Sequence, residues 1–139
     1  MQAAVLGYGR WGRVVAGKLA AMPEADLVAV VDPDMGARAV AHDQLGVAVY
    51  DTLESMYEEQ QPHMACITTP PQLHALHALE CMSHDSHVWV TKPMAMTVGD
   101  CEAIIAASGT TFSALPAVAT VGVTVVPSSG RAIATMRCT

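Results

Sequence analysis

Three glycines at fixed spacing, Gly7-Tyr8-Gly9-Arg10-Trp11-Gly12, follow the short apolar run Ala3-Ala4-Val5-Leu6. Twenty residues beyond the last of them, Asp32 closes a second apolar run, Leu27-Val28-Ala29-Val30-Val31. Each part has a physical job. Glycine at position 7 permits a tight turn. At 9 it lets backbone approach a bulky anion, and at 12 it lets a helix pack close to a sheet. The first turn of such a helix offers unpaired N–H groups that suit phosphates. A carboxylate at Asp32 can accept hydrogen bonds from a ribose diol. Strand, glycine turn, helix, strand, acid is the pattern of dinucleotide binding. Its candidate residues are Gly7, Gly9, Arg10, Trp11, Gly12 and Asp32. The acid disfavours a 2′-phosphate, and Pro33-Asp34 rather than arginine follows it. NAD is therefore expected over NADP, with Arg38 as the side chain that could reverse the choice.

Other reactive residue types carry less. His74 and His77 are three apart on a predicted helix, as are His84 and His87 across a turn. No carboxylate or cysteine completes a site at metal-binding spacing, so no metal is expected. The four cysteines, Cys66, Cys81, Cys101 and Cys138, have no CxxC or ribbon spacing. They suit a reduced compartment, and with no signal peptide visible a cytoplasmic location is expected. The nine methionines fill core gaps.

The elements that must hold these residues alternate regularly. Strands are predicted at Gln2 to Leu6, Leu27 to Val31, Val47 to Tyr50, Met64 to Thr68 and His87 to Val90. Helices are predicted at Arg10 to Ala21, Asp34 to His42, Asp51 to Glu59, Pro71 to Ser83 and Thr97 to Ala107. Trp11, Val14, Val15 and Leu19 recur at helical spacing and form the expected core face of the first helix. Leu73, Ala75, Leu76 and Leu79 do the same for the fourth. Asp51 is the expected cap of the third helix, and Gly46 the stop of the second. Thr97-Val98-Gly99-Asp100 reads as a capping box. Alternating strands and helices imply an α/β fold, a doubly wound parallel sheet covered on both faces.

With 139 residues and a formal charge of −6, the chain fits one domain and does not suit nucleic acid, which selects clustered lysine and arginine. The character changes near Ser108. Residues 103 to 130 carry no charge, and only Arg131 and Arg137 are charged beyond them. Gly109, Pro116, Gly122 and Pro127 interrupt that stretch, so it is not expected to span a membrane. The domain is placed at residues 1–108. Residues 109–139 are expected to be a low-charge tail, disordered, truncated or frame-shifted in origin, with a strand at Val121 to Val126.

Further motifs complete a family pattern. Thr69-Pro70-Pro71-x-x-His74 is followed eighteen residues after the histidine by Lys92, in Val90-Thr91-Lys92-Pro93-Met94-Ala95. With the glycine turn and Val31-Asp32, this order resembles the N-terminal half of the glucose-fructose oxidoreductase / inositol dehydrogenase (Gfo/Idh/MocA) family, over about residues 2 to 108. The resemblance implies a Rossmann-type domain and NAD(P)-dependent hydride transfer with a polyol, sugar or related hydroxyl substrate. It implies that Thr69, Pro70 and His74 lie on the cofactor side. Lys92 would be the catalytic-site residue, holding the substrate hydroxyl beside the nicotinamide, with Pro93 fixing the backbone behind it. Two departures stand out. Thr91 occupies a position where the family usually has Glu, and the family's second, substrate-binding domain is not expected in this chain. Two other readings therefore stand beside the enzyme: a non-catalytic NAD-binding module, and a non-functional fragment.

Overall fold

The computed structural model describes residues 1–108 and the strand Gly122–Val125. Its elements are β1 (Gln2–Leu6), α1 (Arg10–Ala20), β2 (Asp26–Val31), α2 (Met35–Leu45), β3 (Ala48–Tyr50) and α3 (Leu53–Glu59). They continue with β4 (Met64–Ile67), a 3₁₀ turn (Pro71–Leu73), α4 (His74–Ser83), β5 (His87–Thr91), α5 (Val98–Ala107) and β6 (Gly122–Val125). The sheet order is β3-β2-β1-β4-β5-β6. The first five strands are parallel, and β6 pairs antiparallel with β5. The chain runs outward from β1 to β3, then crosses back to β4. That places a topological switch point between β1 and β4, where open α/β sheets bind ligands beyond the strand C-termini.

Because side chains alternate along a strand, the central strands feed two cores. Ala4, Leu6, Ala65, Ile67, Val88 and Val90 face α3, α4 and α5 through Met56, Ala78, Cys81 and Ile104. Ala3, Val5, Cys66 and Trp89 face α1 and α2 through Val15, Ala16, Leu19 and Ala41. Both β4 and β5 are buried along their whole length. The doubly wound α/β sheet expected from the alternation is thus observed.

Two helix faces differ from the reading of the periodicity. The buried side of α1 is Gly12, Val15, Ala16 and Leu19, while Trp11 and Val14 are 54% and 44% exposed. The cause is Gly12. A methyl group built there would lie 1.8 Å from the Gly7 carbonyl oxygen. The helix meets the Gly7 turn through its smallest residue, and Trp11 is turned outward. On α4 the buried residues are His74, Ala78, Cys81 and Met82, and Leu76 is 61% exposed. The caps are mostly as expected. Gly46 ends α2 in the left-handed region at φ 66°, and Thr97 Oγ1 accepts from the Asp100 N–H at 3.1 Å. The cap of α3 is Thr52, which accepts from the Ser55 N–H. Asp51 instead accepts from the Ser55 hydroxyl.

No helix among the described residues is long and apolar enough to cross a membrane. The expectations for residues 109–139 lie outside the described residues apart from Gly122–Val125, which falls within the predicted strand Val121 to Val126.

Candidate cofactor site

The glycine turn joins β1 to α1 at the switch point. Gly7 has φ +86°, and its N–H donates to the Val31 carbonyl at 2.7 Å. Most residue types resist that backbone region, which accounts for glycine there. Behind it stands Thr68, at the end of β4. Its hydroxyl lies 2.9 Å from the Leu6 carbonyl and 2.7 Å from that of Gly7. Gly9 caps α1 with no side-chain hydrogen bond, and a methyl group there would meet no atom within 4 Å. The turn therefore leaves open space over the free N–H groups of a helix start, which is the requirement for an anion.

Asp32 sits at the end of β2, and both its carboxylate oxygens are held by backbone. Oδ2 accepts from the Tyr8 N–H at 2.7 Å and Oδ1 from the Asp34 N–H at 2.8 Å. The acid is thereby fixed against the glycine turn. Arg38 does not reach past it. Its Nη1 donates to the Asp32 and Pro33 carbonyls at 2.7 and 2.9 Å.

A cavity of about 770 Å³ opens from this point. Gly7, Gly9 and Asp32 line one end. Thr68, Thr69, Pro70, Leu73 and His77 form the wall from β4 and α4. Asp51, Thr52, Leu53 and Glu54 form the wall from β3 and α3. The α3 wall, Leu73 and His77 escaped the sequence reading. The usable signal was topological: residues after β3 and β4 meet at the C-terminal edge of the same sheet. His77 Nδ1 is 3.0 Å from the Thr69 hydroxyl. Burial, and then the neighbouring His74, hold the His77 ring below its ordinary imidazole value.

Not every predicted site residue faces this cavity. Gly12 lies beneath the turn, Trp11 is exposed, and neither they nor Arg10 line it. His74 was expected on the cofactor side but is 1% exposed. Its Nδ1 lies 2.7 Å from the Pro93 carbonyl oxygen and its Nε2 2.8 Å from that of Thr69. The physical reason is that α4 turns this position into the sheet, so His77, not His74, shows at the cavity wall. Lys92 follows β5, is exposed, and is not part of the cavity lining. Its bond to Pro93 is cis. Thr91, where the family resemblance leads to Glu, is buried, and its hydroxyl donates to the Ile67 carbonyl at 3.2 Å. Cys81 is buried in the core, and burial pushes its thiol up to about 12, which leaves it a packing residue. Among the described residues no three His, Cys, Asp or Glu side chains converge as metal ligands do.

A parallel sheet, a glycine turn at the switch point, a bare helix N-terminus and an acid at the end of β2 define a dinucleotide-binding domain of the Rossmann type. The family described as oxidoreductases with an NAD-binding Rossmann fold, GFO_IDH_MocA, matches residues 1–111, and the chain belongs to it.

Among curated relatives, the chain is 32% identical over 102 residues to 1-carboxy-3-chloro-3,4-dihydroxycyclohexa-1,5-diene dehydrogenase of Comamonas testosteroni. That alignment covers 73% of this chain and 26% of the relative. It is 26% identical over 102 residues to 2,7-anhydro-N-acetylneuraminate hydratase of Mediterraneibacter gnavus, covering 73% of this chain and 27% of that one. Among solved structures, the WlbA dehydrogenase of Bordetella pertussis in complex with NADH and UDP-GlcNAcA superposes with a TM-score of 0.73 at 25% identity. The match covers 76% of this chain and 32% of that one. The chain thus spans about a quarter of the length of these curated relatives.

Proposed function

We propose that this domain binds NAD over the glycine turn and Asp32, as the cofactor half of an oxidoreductase acting on a hydroxyl of a sugar, polyol or related compound. The observation that carries the reading is the Asp32 carboxylate, tied by Tyr8 and Asp34 N–H groups at the edge of the cavity. A carboxylate in that place accepts from a ribose diol and repels a 2′-phosphate. Arg38, committed to two carbonyls, is not poised to offset that repulsion.

NAD, when bound, supplies the hydride acceptor. The chain's own residues orient and polarise. Gly7, Gly9 and the first turn of α1, including Arg10 and Trp11, bind the pyrophosphate, with Gly12 allowing the helix to sit close. Thr69 and Pro70 form the wall beside the dinucleotide. Lys92 would hold the substrate hydroxyl, its ammonium lowering the pKa of that hydroxyl, and Pro93 would fix the backbone behind it. The NADH and nucleotide-sugar complex of the WlbA dehydrogenase supports the cofactor and the substrate class. The hydratase among the relatives supports a sugar-like substrate but a different overall reaction.

Titration calorimetry tests the cofactor assignment. The wild-type chain is expected to bind NAD more tightly than NADP. Asp32→Ala is expected to weaken NAD and reduce the preference; an unchanged NAD to NADP ratio would remove Asp32 from the site. A second reading, NAD binding without turnover, is favoured by Lys92, which is exposed and lies outside the cavity lining. Saturable NAD binding with no NADH formed from a panel of polyols and sugars would select it. Absence of any saturable binding would select the fragment reading.

A further inference from the structure

We propose that His74 is a positioning residue that ties the cofactor-side turn to the Lys92 arm, by donating from both ring nitrogens at once. The ring is buried and touches no ligand space. Its Nδ1 faces the Pro93 carbonyl at 2.7 Å and its Nε2 the Thr69 carbonyl at 2.8 Å. A backbone carbonyl only accepts, so both contacts are hydrogen bonds only when both nitrogens carry protons. A ring with one bare nitrogen would set a lone pair against an oxygen at one end. The Thr91 hydroxyl, 3.4 Å from Nε2, does not compete, because it donates to the Ile67 carbonyl.

The two carbonyls belong to different walls. Thr69 lines the cavity after β4, and Pro93 follows Lys92 after β5. Between them α4 acts as a fixed post. Ala78, Cys81 and Met82 anchor it in the core, and its first turn presents His74 toward both segments. One turn later His77 reaches the Thr69 hydroxyl at 3.0 Å. Thr69 is therefore gripped from α4 at its carbonyl and its side chain, while Pro93 is gripped by His74. Charge-assisted donors make shorter and stronger bonds than neutral ones, which suits a brace between two loop segments.

The inference rests on the NAD reading only where it concerns ligand binding, so three measurements keep the two apart. Nitrogen NMR of the ligand-free wild-type chain is expected to show protons on both His74 ring nitrogens; one bare nitrogen overturns the two-ended brace. Hydrogen exchange on the full chain, wild type against His74→Gln, is expected to show faster exchange in residues 69–73 and 92–96 together, with α1 and β1 to β3 unchanged. Faster exchange in one segment alone, in neither, or uniformly through the fold overturns the coupling. If the variant does not fold, the NMR result on the wild type decides. NAD affinity of the variant is expected to fall about tenfold, and an unchanged affinity overturns the link to the cofactor wall. A wild-type chain that binds no NAD removes the function proposed above and that link with it, while exchange still judges the coupling.

Discussion

Gly9 and Gly12 lie three residues apart, yet a methyl group meets opposite surroundings at the two. At Gly12 it would collide with the Gly7 carbonyl; at Gly9 it would enter open space. Gly12→Ala is therefore expected to cost about 3 kcal/mol or more of folding stability, because backbone rather than a flexible side chain must give way. Gly9→Ala is expected to change stability by less than about 1 kcal/mol while lowering NAD affinity. Denaturant unfolding and calorimetry on the pair separate the roles. A large stability loss at Gly9 would show that its space is needed by the protein itself. The same scale holds the placement of His74, whose ring is buried. A histidine in a Pro-Pro turn reads as a surface or cofactor residue, since nothing local says that α4 will carry it inward. Of its two carbonyl partners Thr69 is near in sequence, but Pro93 lies beyond β5, 19 residues on.

At the scale of elements, caps were legible and faces less so. A cap is a local bargain between one side chain and an N–H two or three residues on. Thr97 was readable for that reason, and Thr97→Ala is expected to lower stability by about 1 kcal/mol, with the thermal midpoint as the check. A face depends on what lies opposite. Trp11 and Leu76 fitted an apolar stripe, but close approach at Gly12 and the inward turn of His74 rotate them out. Strand β5 adds a pH dependence. His87 at its start is buried, with Nδ1 lacking a partner among the described residues. Burial, and secondarily His63, hold it below the ordinary value of 6.5. The unfolded chain then takes up a proton that the folded one refuses. Stability is expected to fall as pH drops below about 6.5, and to be unaffected by this group above it. Thermal midpoints of wild type and His87→Leu across that range test the sign. An equal acid slope in both would acquit His87.

For the molecule as a whole, the outer edge of β5 is where the strand expected at Val121 to Val126 bears on the fold. Gly122–Val125 pairs with it antiparallel. An unpaired edge of a buried, apolar strand is a template for association. Deleting residues 122–125 is expected to lower the thermal midpoint and to produce concentration-dependent association in sedimentation or light scattering. A deleted chain that stays monomeric with the same midpoint would show that the strand adds nothing.

Sequence by itself determined the alternation of strands and helices, the parallel sheet, the glycine turn and the acid at the end of β2. These follow from periodicity, from backbone regions open only to glycine, and from short-range spacing, all of which act over a few residues. The tertiary structure decided which α4 histidine meets the cavity and where the core face of α1 lies. It also decided that Asp51 to Glu54 share a wall with Thr69, and that β6 closes the sheet edge. Those outcomes depend on how closely a helix can approach a strand and on which chain ends the sheet order brings together. No window of neighbouring residues contains either quantity.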